Sequence, residues 1–170
     1  MMEITIEKLQ YSDARKLFEF ECENREYFEG MVPSRGDEFY HFETFIERLG
    51  SLINEQALGL SSFHLIKNNH DLILGRINIV DIDQLQNLGH IGYRVGKDHT
   101  GKGIAQKALK LLTEGIRNEG VKQLFAKTTS NNIASQKVLE KNGFKQISTS
   151  EEEIKMRGQI LKFVHYKRLI

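Results

Sequence analysis

The sequence predicts one mixed α/β domain of the α+β kind, spanning residues 1–170. Three observations carry that expectation. At 170 residues and 39% hydrophobic content, the chain is long enough to bury one core and shorter than chains that divide into two. Its apolar residues recur at strand spacing in some segments and at helical spacing in others, and the two alternate along the chain. No internal repeat and no linker-like run separates these segments, and Pro33 is the only proline.

Taken in order, EITIEKL reads as a first strand, after which Ser12 is placed to cap a helix running to about Asn24. GMVPSRGD, around Pro33, reads as the one substantial loop. Phe39, Phe42, Phe45, Ile46, Leu49, Leu52 and Ile53 then mark one face of a second helix, ending near Gly59. SSFHLIK and LILGRINIV flank the turn residues Asn68, Asn69, His70 and Asp71, so they read as a hairpin, with HIGYRV as the next strand. Ile104, Ala108, Leu111, Leu112, Gly115 and Ile116 mark a third helix that Gly120 closes. QLFAKTT is a strand, and NIASQKVLEKNGF a short helix with Asn132 at its cap and Gly143 past its end. Two last strands are expected to meet near Arg157 and Gly158.

Charge and composition narrow the class. Residues 1–60 carry six Lys and Arg against thirteen Asp and Glu, whereas residues 97–145 carry ten against four. Two readings fit: ordinary solvated faces, or a basic segment for an anion and an acidic one for an amine. The start MMEITIEKLQ lacks the basic and apolar regions of a signal peptide, and no apolar run approaches the ~20 residues of a membrane span. A soluble cytoplasmic protein is therefore expected. Cys22 is the only cysteine and the six histidines show no ligand-like spacing, so no metal is expected. No aromatic residues interleave with Lys97, Lys102, Lys107, Lys137 and Lys141, so nucleic acid is not an expected partner.

The segment VGKDHTGKGIA sets Gly101 and Gly103 either side of Lys102 where a helical pattern begins. Compared with a P-loop, Gly96, Gly101 and Lys102 align, but Gly103 stands where a hydroxyl should hold Mg²⁺. Compared with a dinucleotide fingerprint, the third glycine position is Gln106 and no acidic residue follows at the ribose distance. What remains is either a tight strand-to-helix turn or a cradle whose first helical amides, Lys102 to Ala105, bind an anion such as a pyrophosphate.

LGHIGYRVGKDHTGKGIAQKAL followed by NNIASQKVLEKNGF resembles the two signature segments of the GNAT superfamily of acyl-CoA N-acyltransferases, more narrowly its RimJ/RimL branch. The pattern [QR]-x-x-G-x-[GA] aligns with Thr100, Gly103 and Ala105; Thr100 departs from it. The second segment matches at Asn132, Ser135, Glu140, Lys141, Gly143 and Phe144. The resemblance is strong over about 88–146 and extends faintly to ENREYFEGMVPSRGDEFY. It implies a mostly antiparallel, splayed central sheet of about seven strands with about four helices. It also implies acetyl-CoA as cosubstrate. On this resemblance the coenzyme would be held by Val95, Thr100, Gly101, Lys102, Gly103, Ile104, Ala105, Asn132 and Ser135, the pyrophosphate lying on Lys102 to Ala105.

Such a site performs aminolysis of a thioester, so no cysteine nucleophile is required. The resemblance points the Val95 amide at the thioester oxygen. Many members protonate the leaving sulfur with a tyrosine; here that position is Leu139, and Ser135 matches the residue with this part in the RimL-like branch. Ser135 could equally bond its own helix or the coenzyme arm. Candidate bases for the incoming amine are His90, Glu152 and Glu153, and Glu26 and Tyr93 are candidate contacts to the acceptor. The expected function is acetyl transfer to a primary amine, foremost a protein N-terminus, by a monomer or homodimer. Polyamines, amino acids or aminoglycosides as acceptors, and a coenzyme-binding sensor without catalysis, remain open.

Overall fold

The computed structural model describes residues 2–117 and 119–170. Seven strands form the central sheet: β1 (Ile4–Lys8), β2 (Ser62–Asn68), β3 (Ile73–Asp83), β4 (Leu88–Val95), β5 (Gln123–Thr129), β6 (Lys145–Thr149) and β9 (Phe163–Leu169). Their order is β1-β2-β3-β4-β5-β9-β6, and every pairing is antiparallel except β4 with β5. The β2–β3 hairpin turns where its side chains predict. Asn68 Oδ1 accepts the amides of His70 and Leu72 at 2.9 and 3.0 Å, and Asp71 takes φ 62°.

Two hydrophobic clusters cover the two faces. On one face α4 (Ile104–Gly115) and α5 (Ile133–Lys141) bury Ile104, Ala108, Leu109, Leu112 and Leu139 against Ile77, Ile91, Leu124 and Tyr166. On the other, α1 (Ala14–Glu23), α2 (Arg25–Glu29) and α3 (Phe42–Ala57) bury Leu17, Phe20, Phe28, Phe45 and Leu49 against Phe63, Leu65 and Ile73. The mixed α/β class and the splayed, mainly antiparallel sheet are thus as expected, with five α-helices among the described residues where about four were expected.

Four local readings change. Ser12 caps nothing: a 3₁₀ turn at Tyr11–Asp13 precedes α1, and the Asp13 carboxylate accepts the Gln10 amide at 2.8 Å. Asn24 then ends α1 without ending the helical path, because α2 follows at once. Phe39 lies in a separate 3₁₀ turn, Asp37–Tyr40, before α3. After β6, Arg157 and Gly158 join two short strands, β7 (Ile154–Met156) and β8 (Gln159–Leu161), which form a sheet of their own, while β9 crosses back between β5 and β6.

Candidate active site

The sheet opens between its two parallel strands. Only Leu88–Ile91 of β4 pairs with β5, at Gln123–Ala126, whereas β4 stays paired with β3 as far as Val95. Gly96 N–H donates to the Leu74 carbonyl on β3 at 2.8 Å. Successive amides of an extended strand point opposite ways, so the Val95 N–H is turned toward the gap. The splay thereby frees a backbone donor.

Beyond Val95 the chain runs through a 3₁₀ turn, Lys97–His99, and the two glycines into α4. Gly101 and Gly103 both hold φ 74°, the left-handed region, and a Cβ at either would meet nothing within 4 Å. Bulk is absent here because space is being kept, while the positive φ explains why glycine keeps it. The earliest backbone bond of α4 runs from Lys107 N–H to Gly103 O at 3.1 Å. The amides of Gly103, Ile104, Ala105 and Gln106 consequently have no backbone acceptor among the described residues, and they meet the positive end of the helix dipole. These features suit the diphosphate of a coenzyme.

The glycine turn, the free edge of β4 and α5 enclose a cleft of about 460 Å³. Val95, Thr100, Gly101, Gly103, Ile104, Ala105, Asn132, Ser135 and Tyr93 all line it; Lys102 does not. Asn132 caps α5, its Oδ1 accepting the Ser135 amide at 3.1 Å, which commits that oxygen to the helix. Ser135 Oγ stands 2.8 Å from the Tyr93 hydroxyl, and that hydroxyl lies 3.3 Å from the Ser135 carbonyl. Burial pushes the Tyr93 phenol up to about 12, so it keeps its proton throughout the neutral range. Leu139, one turn on, is fully buried in the core and faces no ligand space.

The other candidates stand apart. His90 is exposed, one residue before the last β4–β5 pair, with its ring 5.7 Å from Phe125, and it is not a lining residue of the cleft. It occupies the β4 face opposite Tyr93. Glu152 and Glu153 are exposed in the turn between β6 and β7. Glu26 is exposed on α2, its carbonyl accepting Arg157 at 3.1 Å. Of the five lysines, Lys137 and Lys141 border the cleft, while Lys107 bonds the Met2 carbonyl at 3.3 Å.

Sequence reasoning did not single out Phe28, Met31, Arg94 or His99, which also line the cleft, although Phe28 and Met31 lie in the ENREYFEGMVPSRGDEFY segment where the resemblance was faint. Arg94 is the most consequential. Its guanidinium lies 4.7 Å from the Phe28 ring centre and 3.5 Å from Glu21, a contact 73 residues distant in sequence that no local motif encodes. Among the described residues, no helix is long and apolar enough to cross a membrane, and no group of His, Cys, Asp and Glu could hold a metal ion.

Residues 3–145 match the family described as acetyltransferase (GNAT) domain. The chain is 28% identical over 160 residues to the probable N-acetyltransferase YjcK of Bacillus subtilis (strain 168), covering 91% of this chain and 87% of that protein. Its fold superposes with TM-score 0.91 on a ribosomal-protein-S5-alanine acetyltransferase from Vibrio fischeri, at 20% identity over 99% of this chain and 94% of the other. RimL, a ribosomal L7/L12 alpha-N-protein acetyltransferase solved in complex with coenzyme A, gives TM-score 0.90 at 18% identity, over 98% and 94%.

Proposed function

The chain belongs to the GNAT acetyltransferase family, and on that premise we propose that it transfers acetyl from acetyl-CoA to a primary amine, foremost the N-terminal α-amine of a protein. One observation carries the reading: a single cleft gathers the open glycine cradle, the gap-facing Val95 amide and the Tyr93–Ser135 hydroxyl pair. The protein N-terminus as acceptor draws its support from two proteins of this fold that are by name ribosomal-protein acetyltransferases.

The thioester would supply an acyl carbon open to direct attack by the amine, so no covalent enzyme intermediate is needed. Gly103, Ile104 and Ala105 hold the diphosphate through their amides, and the absence of side chains at Gly101 and Gly103 admits it. The Val95 N–H meets the carbonyl oxygen where negative charge develops, an interaction worth about 3 kcal/mol of barrier. Ser135 Oγ would pass a proton to the departing sulfur while taking one up from solvent in the cleft, so that no alkoxide is left, and Tyr93, protonated in the neutral range, holds that hydroxyl in line. A thiol pKa of ~8.5 makes this a modest demand, because the sulfur can depart largely as thiolate with a hydroxyl hydrogen-bonded to it. The proton of the incoming amine would leave to solvent through the open cleft, because His90 lies on the opposite face of β4, Glu152 and Glu153 lie in a turn beyond the sheet, and none of the three lines the cleft.

Thiol release from acetyl-CoA with a panel of N-terminal peptides, polyamines and aminoglycosides tests the proposal. Turnover with peptides supports it. Turnover confined to polyamines removes the protein acceptor, and coenzyme binding with no release for any amine leaves only a sensor.

A further inference from the structure

A second cavity, of about 370 Å³, lies between α1, α3 and the β2–β3 face of the sheet. Its walls are apolar, with Leu17, Phe39, Phe45, Leu49 and Phe63, yet Arg35, Arg48 and Arg76 also border it. Their charge is not balanced. Glu21 is the only carboxylate within ion-pair distance of Arg35, Arg76 and Arg94 among the described residues, and it has no exposed surface. Its Oε1 accepts Arg76 at 2.8 Å and lies 3.6 Å from Arg35, while its Oε2 is 3.5 Å from Arg94 and makes no hydrogen bond. One negative charge is thus shared by three positive ones. Arg48, at the rim on α3, has no carboxylate partner among the described residues and lies 5.5 Å from the Phe39 ring centre.

Arg76 is buried and paired with Glu21, whereas Arg35 is half-buried and Arg48 exposed, so a single buried carboxylate leaves the cavity with a net positive wall that favours an anion. Burial first, and then repulsion from Arg94 and Arg76 against the pull of Glu21, lowers Arg35 to about 10. An entering negative charge would relieve that repulsion. Apart from the arginines, Ser51 and Asn78, the cavity is walled by rings and aliphatic chains, which suits an anion carried on an apolar body better than a free inorganic ion. A guanidinium fork matches a carboxylate through two parallel bonds.

We propose that this cavity binds an organic carboxylate with an aromatic or branched aliphatic body. The ligand could be part of the amine acceptor or a separate acid, since Arg94 borders the transfer cleft while Arg35 and Arg76, across the Glu21 carboxylate, border the second cavity. The site stands independently of the acetyl-transfer reading.

Calorimetric titration of phenylacetate into the full chain tests it, with phenylacetamide as the neutral control. Binding of phenylacetate at least tenfold tighter than of the amide, weakened about tenfold by Arg48→Ala and falling as salt rises, is expected. Arg48 is exposed and outside the buried cluster, so this variant should keep the wild-type melting temperature. No heat with either phenylacetate or 4-methylpentanoate, or equal binding of acid and amide, overturns the proposal. Competition between phenylacetate and the acetyl acceptor assigns the carboxylate to the acceptor; binding without competition assigns it to a separate acid, and both keep the site. A protein that binds phenylacetate but transfers no acetyl loses only the function proposed above.

Discussion

Two hydroxyls 2.8 Å apart carry the proposed proton delivery, and their unequal surroundings divide the work. Tyr93, raised to about 12 by burial, keeps its proton at working pH and its hydroxyl is engaged by both the carbonyl and the Oγ of Ser135, so it orients; Ser135, partly exposed to the cleft, is the proposed donor. Ser135→Ala should therefore lower kcat by about a hundredfold, near the lower end for a general acid, with little change in coenzyme KM. Tyr93→Phe should lower kcat less, and the double variant should be no worse than Ser135→Ala. Additive losses, read from steady-state kinetics, would separate the two residues. Glu21 presents the reverse balance. Burial alone would raise its pKa, but Arg76, Arg35 and Arg94 outweigh that and hold it below the ordinary 4.5. A carboxylate depressed in the folded state stabilises above its unfolded value and loses that contribution as pH falls through the folded one. Glu21→Gln should accordingly cost about 3–5 kcal/mol near neutrality, because it leaves three arginines uncompensated. Denaturant melts should show that gap closing below pH 4.5.

At the scale of the element, α4 does two jobs with opposite ends. Its body anchors the core through Leu109 and Leu112, and its mouth presents unpaired amides to the cleft. Leu109→Ala should destabilise the protein by about 2–5 kcal/mol while leaving coenzyme affinity in the residual folded population intact. Gly103→Asp should do the converse: a side chain at φ 74° costs on the order of 1–2 kcal/mol, and its charge beside a diphosphate should weaken coenzyme binding at least a hundredfold. Calorimetry together with melts distinguishes the two. This helix was legible from its letters because a long amphipathic period and a glycine start are local signals, although the register there omitted Leu109. The Asn132 cap and the β2–β3 turn were legible for the same reason. The turn of the β7–β8 hairpin was legible at Arg157 and Gly158, but its separation from β9 as a sheet of its own, and α2, were not, since strands of three residues and a helix of five are too short to show a period. The Glu21–Arg76 bond joins residues 55 apart, so the arginine cluster became visible only once β3 and α1 were brought together.

Across the whole molecule, the cleft is the place where the two hydrophobic clusters approach a common ligand. Phe28 belongs to the cluster under α1–α3, and Ile104 to the cluster under α4 and α5; both line the same space. Between them the sheet has surrendered the β4–β5 pairing that would otherwise tie its halves together beyond Ile91. A ligand seated there contacts both sides and so should replace part of the cohesion that the splay removes. Coenzyme A at a hundred times its dissociation constant should stabilise the folded chain by about 2.7 kcal/mol, which for a domain of this size raises Tm by roughly 5–10 °C. Gly103→Asp should start from a lower Tm, by roughly 2–8 °C, and respond far less at the same coenzyme concentration, while Ser135→Ala should respond as the wild type does. A thermal-shift titration of the three proteins separates binding from catalysis without any acceptor present. An unshifted wild-type Tm at millimolar coenzyme A would remove the coenzyme from this cleft and the transfer mechanism with it.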